Sequence, residues 1–217
     1  MRNVKFHLLA LMVLAFVAPM HPSFAKPKAS PDPEAISKPE NVSSTVVDKF
    51  YGKLIDVMKQ GSKLGFDGRY QKLEPAIKDA FNLPLMTKLA VGSAWSLATE
   101  EERRQLIKAF SDFSVANYAN QFKDFNGETF VVVGTDQAIN GYIVKSKLTP
   151  KDADAVELNY LVQKDEQGQW RIVDVFLNGS ISELAARRSE FTSIAKRDGI
   201  PALVNSLNTK SKSSDPS

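Results

Sequence analysis

The spacing of apolar residues changes midway along the chain, from a helical period to a period of two. In the first half Val46, Val47, Phe50, Leu54, Val57 and Met58 recur at helical spacing, with Gly61 as a stop signal. A loop with Gly65 and Gly68 is expected next. Leu73, Ile77 and Phe81 predict a short second helix that must tolerate Pro75 near its start. Leu83-Pro84-Leu85-Met86 opens a third, Pro84 suiting a first turn, and it ends near Gly92. Thr99 and Glu102 make the T-x-x-E pattern of a capping box. The long helix they start carries a wide aromatic stripe of Leu106, Ile107, Phe110, Phe113, Tyr118 and Phe122, and Asn126-Gly127 marks a sharp turn after it.

Strands follow. Residues 128–134 and 139–148 read as two, and Val156-x-Leu158-x-Tyr160-x-Val162 is the clearest alternation. A four-residue loop, Asp165-Glu166-Gln167-Gly168, leads into a return strand over 170–177. That loop length sets Tyr160 opposite Val173, Leu158 opposite Val175 and Val156 opposite Leu177, all on one apolar face. Asp174 then lies on the other face beside Asn159. Ser180 and Glu183 suggest a second helix cap, for a helix ending near Gly199, and Pro201 begins a last short one. Helices, then an antiparallel four-stranded sheet, then closing helices make an α+β layout.

The ends read differently. Arg2 and Lys5 precede the apolar run 8–18, Pro19 and Pro22 break it, and Ser23-Phe24-Ala25 resembles a signal-peptidase site. Residues 1–25 are therefore expected to be a cleaved export signal, an uncleaved anchor being the competing reading. Residues 26–41, rich in Pro, Lys and Ser, read as a disordered arm, as does 210–217, leaving a single folded domain over 42–209.

Composition narrows the chemistry. There is no Cys, and both His residues, His7 and His21, fall in the expected signal. Such a mature chain lacks the thiolate nucleophile, the usual neutral-pH base and the commonest metal ligand. No metal site and no cofactor are implied. Losing the signal takes two positive charges and lowers the net charge from +3 to +1. There is no basic field of the kind nucleic acid requires. Nor is there a G-x-S-x-G, a phosphate-binding loop or an H-E-x-x-H. An enzyme using Asp174 with a Tyr hydroxyl is conceivable on this layout, but the expected register puts Asp174 and Tyr160 on opposite faces.

Four blocks carry a family resemblance: LPLMTKLAVGSAW at 83–95, ATEEERRQLIKAFSDFSVANYANQF at 98–122, WRIVDVFLNGSISELAARRSEF at 170–191 and RDGIPALVNSLN at 197–208. In their order and spacing they resemble the periplasmic lipid-binding family of MlaC and the toluene-tolerance auxiliary proteins. DVFLNGSISELAARRSEF looks closest to the hopanoid-associated HpnM branch. The resemblance implies a soluble periplasmic carrier and no enzyme. It implies an apolar pocket between sheet and helices, distantly NTF2- or cystatin-like, that holds a phospholipid or hopanoid. Implied partners are an inner-membrane ABC or RND-type transporter, an outer-membrane complex, and transient contact with membranes. The family offers no short ligand-binding motif, so site residues come from periodicity. Trp95, Phe110, Tyr118, Phe122, Tyr142, Val144, Val156, Leu158, Tyr160, Val173 and Val175 are the candidate walls. Each sheet residue taken singly also reads as ordinary packed core. Arg103, Arg187 and Arg188 are candidates for head-group or partner contact, with a solvated helix face as the alternative. A non-catalytic scaffold of such a transport system is the rival function.

Overall fold

A computed structural model of the protein describes residues 39–213. The expected signal (1–25), most of the expected arm and the last four residues lie outside the described residues. Seven helices and five strands are described: α1 (Pro39–Met58), α2 (Gly61–Ala80), α3 (Leu83–Val91), α4 (Ala94–Leu97), α5 (Glu100–Gln121), β1 (Thr129–Ala138), β2 (Gly141–Thr149), β3 (Val156–Lys164), β4 (Trp170–Leu177), β5 (Ile181–Ser182), α6 (Glu183–Asp198) and α7 (Ile200–Ser213). The layout is α+β with a helical first half, as its periodicity predicts. Helix begins at Pro39, and α7 runs through Lys210–Ser213, so residues assigned by sequence to both disordered ends are helical.

The helices form where local signals agree. Thr99 caps α5 through a complete capping box: its Oγ1 accepts from Glu102 N at 3.2 Å, and Glu102 Oε2 accepts from Thr99 N at 2.8 Å. Asn82 caps α3 by accepting from Leu85 N at 3.1 Å, two residues before Pro84, which lies in the first turn. α2 departs from expectation. It starts at Gly61 and runs on to Ala80, interrupted only at Gly65, whose backbone (φ 61°, ψ −174°) is open essentially to glycine alone. The second half of the helix then carries Pro75.

The strands are ordered β1-β2-β3-β4-β5, antiparallel throughout. The fifth strand, absent from the sequence reading, is two residues long and pairs Phe176 with Ser182. It draws the chain past Ser180, so the α6 cap is Ser182, two residues later than predicted, with Oγ accepting from Ala185 N at 2.9 Å.

The β3–β4 register also differs, for two additive reasons. The hairpin loop holds five residues, since Lys164 pairs with Trp170; Asp165 Oδ1 closes it by accepting from Gln167 N and Gln169 N. A bulge at Val173 then adds one more residue to β4. The first slip turns Ile172 onto the inner face opposite Val162; the bulge restores parity, so Val175 faces Tyr160 and Leu177 faces Leu158. Val173, predicted opposite Tyr160, has no pairing partner on β3.

The core lies between the inner sheet face and α1, which packs on all four long strands. α2 packs on both α1 and α5, α7 packs on α5, and α3 packs on α6.

Candidate functional site

Where α1, the C-terminal turns of α5 and the sheet meet, aromatic rings gather. Phe50 of α1 lies 5.1 Å edge-on to Phe81 and 5.3 Å edge-on to Tyr118. Tyr118 stacks on Phe122 at 5.6 Å, and Phe122 reaches Phe130 of β1 at 6.0 Å. Tyr51 closes the circle, 4.9 Å from Phe130 and 5.8 Å from Tyr160. The helical spacing that makes α1 amphipathic places Phe50 and Tyr51 here.

The apolar pocket expected at this place is narrower than the sequence reading supposes. Phe50, Tyr51, Val144, Tyr160 and Val162 expose 0–3 % of their surface, so side chains fill the deep part. The apolar surface left partly open is a half-buried rim: Phe122, Phe130, Leu148, Val156, Val175 and Leu177. Two depressions of about 440 and 460 Å³ lie elsewhere, among α2, α5 and α7, and are lined mostly by polar and charged side chains around Asp112.

The predicted wall residues thus divide. Tyr118, Phe122, Val144, Val156, Leu158, Tyr160 and Val175 come together on the rim or directly behind it. Phe110 does not; it is buried on the other side of α5, edge-on to Phe191 at 6.2 Å. Trp95 sits in α4, which packs on α3 and α6, and its ring lies under the Arg103 guanidinium at 5.6 Å. Tyr142 packs on Trp170 at the opposite end of the sheet, 5.5 Å away. Val173 is taken out of the row by its bulge. Sequence reasoning missed Tyr51, Phe81, Phe130, Ser146 and Leu148, and put Leu177 on the apolar face without counting it a wall, though alternation along the strands marks Phe130 and Ser146 as inward-facing.

The three arginines do not converge. Arg103 pairs with Glu100 at 2.8 Å. Arg187 lies 4.9 Å above the Phe113 ring and 3.8 Å from Glu183, while Arg188 lies beside Gly92 at the end of α3. Burial pushes the Tyr118 hydroxyl far above its ordinary range, and the nearby Tyr51 and Glu183 charges push it the same way. Tyr160 is driven up likewise, chiefly by burial. Neither hydroxyl is a usable base near neutral pH.

Asp174 is occupied elsewhere, away from Tyr160. Its Oδ2 accepts from Ser182 Oγ at 2.6 Å, and its Oδ1 from Leu184 N at 3.1 Å and Val175 N at 2.8 Å. It ties β4 to the start of α6. Among the described residues there is no cluster of three His, Cys, Asp or Glu side chains placed to hold a metal ion. Nor is any described helix long and apolar enough to cross a membrane.

The domain thus sets helices over an antiparallel sheet, with an apolar rim backed by aromatic rings along the inner face. The MlaC protein family profile matches residues 48–209, and the chain belongs to that family. Among solved structures, it is similar to the phospholipid-binding protein from Ralstonia solanacearum, determined in complex with a phospholipid. The two share 22 % identity with a TM-score of 0.68, over 82 % of this chain and 99 % of the other. No curated protein matches the chain.

Proposed function

We propose that this protein is a periplasmic lipid carrier: it shields the hydrocarbon of a phospholipid from water and moves it between the inner and outer membranes. The observation that carries the reading is the half-buried rim over the inner sheet face, in a fold whose Ralstonia counterpart holds a phospholipid. Family membership supports the same reading. The lipid's chains lie along Phe130, Val156, Val175 and Leu177, with the aromatic cluster behind them and the head group toward solvent.

Each buried CH₂ is worth about 0.8 kcal/mol, so a sixteen-carbon chain gains roughly 12 kcal/mol over water, part of it lost to ordering. A bilayer offers a similar gain, so the carrier competes with membranes and delivers its load at a docked transporter or acceptor complex. Arg187, 4.9 Å above the Phe113 ring and 3.8 Å from Glu183, is the arginine we assign to a phosphate head group. Asp174, used up in capping α6, supports a binding role over catalysis.

Extraction of co-purified lipid followed by mass spectrometry tests the proposal. A stoichiometric phospholipid is the expected result. A fused-ring hopanoid instead would place the chain in the hopanoid branch, and lipid-free protein that takes up nothing from vesicles would leave the scaffold reading. Release should be slow into buffer and fast in the presence of acceptor membranes; equal rates in both would remove the delivery step.

A further inference from the structure

Three hydroxyls are buried in an otherwise apolar stretch of the inner sheet face. Ser146, Tyr160 and Tyr51 expose 1–3 % of their surface, among Val144, Leu158 and Val162. Ser146 Oγ donates to the Leu158 carbonyl, so it must act as acceptor toward Tyr51, whose hydroxyl lies 2.5 Å away. The Tyr51 and Tyr160 hydroxyls interact in turn. Buried polar groups joined in a satisfied chain lose their rotamer freedom. Tyr51 is therefore pinned by its hydroxyl at one end and by Phe130 and Tyr160 along its ring.

Exposure changes across this pair. On one side the inner-face residues Leu148, Val156 and Leu177 are half-buried; on the other, Val162 and Ile172 are at 0 %. The paired rows run in that order along the sheet: Leu148 with Val156, then Ser146 with Leu158 and Leu177, then Val144 with Tyr160 and Val175, then Val162 with Ile172. The tyrosines stand where the open part of the face gives way to the closed part.

Resting on the lipid-binding reading, we propose that Tyr51 and Tyr160, locked through Ser146, form a fixed end-stop that limits the length of hydrocarbon the site accepts. A chain entering along the rim gains affinity with each methylene until it meets the two rings; further methylenes remain outside. Next beyond the rings lie Val162 and Ile172, so removing the Tyr51 ring extends the site along apolar side chains; of the hydroxyls it held, Ser146 keeps its bond to Leu158, while Tyr160 loses its partner.

The test is competition. Purified protein is incubated with vesicles containing phosphatidylglycerols of graded acyl length, separated, and the bound lipids are quantified by mass spectrometry. For the wild type, enrichment should stay level with chain length, because a methylene in the site gains about what it gains in the bilayer, and then fall once methylenes are left outside the site. In Tyr51→Ala the fall should begin at longer chains, each newly buried methylene restoring about fourfold, the equivalent of ~0.8 kcal/mol. Val156→Phe, on the half-buried row ahead of the rings, should move it to shorter chains, and it decides the matter if Tyr51→Ala does not fold. Identical chain-length profiles for the wild type and the folded variants overturn the end-stop while leaving lipid binding intact. A wild type that takes up no phosphatidylglycerol of any length overturns the carrier reading itself.

Discussion

Arg69 Nε donates to the Ala119 carbonyl across 2.7 Å. Ala119 lies in the last turn of α5, where helix carbonyls have no partner within the helix. The same guanidinium reaches the Gly61 carbonyl at the start of α2, at 3.1 Å. One buried arginine thus joins the helix that carries Tyr118 and Phe122 to the α1–α2 corner. Replacing it with Met should lower stability by about 3 kcal/mol, because charge-assisted bonds are lost and buried carbonyls go unmet. Arg69→Lys should recover only part, since an ammonium cannot serve the positions of a planar fork. Urea denaturation midpoints read this directly; a loss below about 1 kcal/mol for Arg69→Met would mean that water replaces the guanidinium.

The corner itself is close-packed. A Cβ on Gly61 would lie 1.7 Å from the Lys123 carbonyl, just past the end of α5. Gly61→Ala must push α2 and α5 apart and should destabilise by about 2 kcal/mol, against the usual gain from Ala in a helix. Gly52, with nothing near its would-be Cβ and an ordinary helical position, is the control: Gly52→Ala should stabilise by about 0.5–1 kcal/mol. Thermal melts of the two variants moving in the same direction would contradict this.

Asp174 offers a way to separate structure from chemistry. Removing its carboxylate in Asp174→Ala frees Ser182 Oγ and Leu184 N and should cost about 2 kcal/mol by loosening the start of α6. Bound lipid per folded molecule should be unchanged, because Asp174 points away from Tyr160. Loss of lipid from a folded Asp174→Ala protein would show that the α6 start shapes the site.

These residues also show which features the sequence exposes. Thr99 and Glu102 announce the α5 cap because both partners sit within one turn, and the structure has that box complete. The α6 cap is different: Ser182 works with Asp174, on a strand paired to its own, and no local pattern reports that contact. Alternation correctly puts Val156, Leu158 and Tyr160 on the inner face. The partners across from them depend on one extra loop residue and one bulge, and each shifts the register without altering the apolar pattern. Tyr51 lies four residues after Val47 and three before Leu54, so helical spacing marks it as inward-facing. What spacing cannot supply is Ser146, its hydroxyl partner 95 residues on.

Alkaline pH should unfold the protein through its tyrosines. Burial is the main force that pushes the Tyr51 hydroxyl up to about 12; the bonds to Ser146 and Tyr160 offset part of the push, and Asp48 adds a little to it. Tyr70 is also pushed up to about 12, by burial first and then by the Asp112 and Glu74 charges. Tyr118 and Tyr160 are raised in the same direction. In the unfolded chain these phenols ionise near pH 10. Above that pH the unfolded state binds fewer protons than the native state, so stability must fall as pH rises. It is fully present below about pH 10 and is lost through about pH 12. Tyr51 alone accounts for about 2–3 kcal/mol of the loss. Tyrosinate absorbance from the buried rings should therefore appear together with loss of helical circular dichroism, not before it. Tyr51→Phe should flatten the decline, since Phe has no proton to lose. Full tyrosinate absorbance near pH 10 with circular dichroism intact would mean that water already reaches these rings in the native protein.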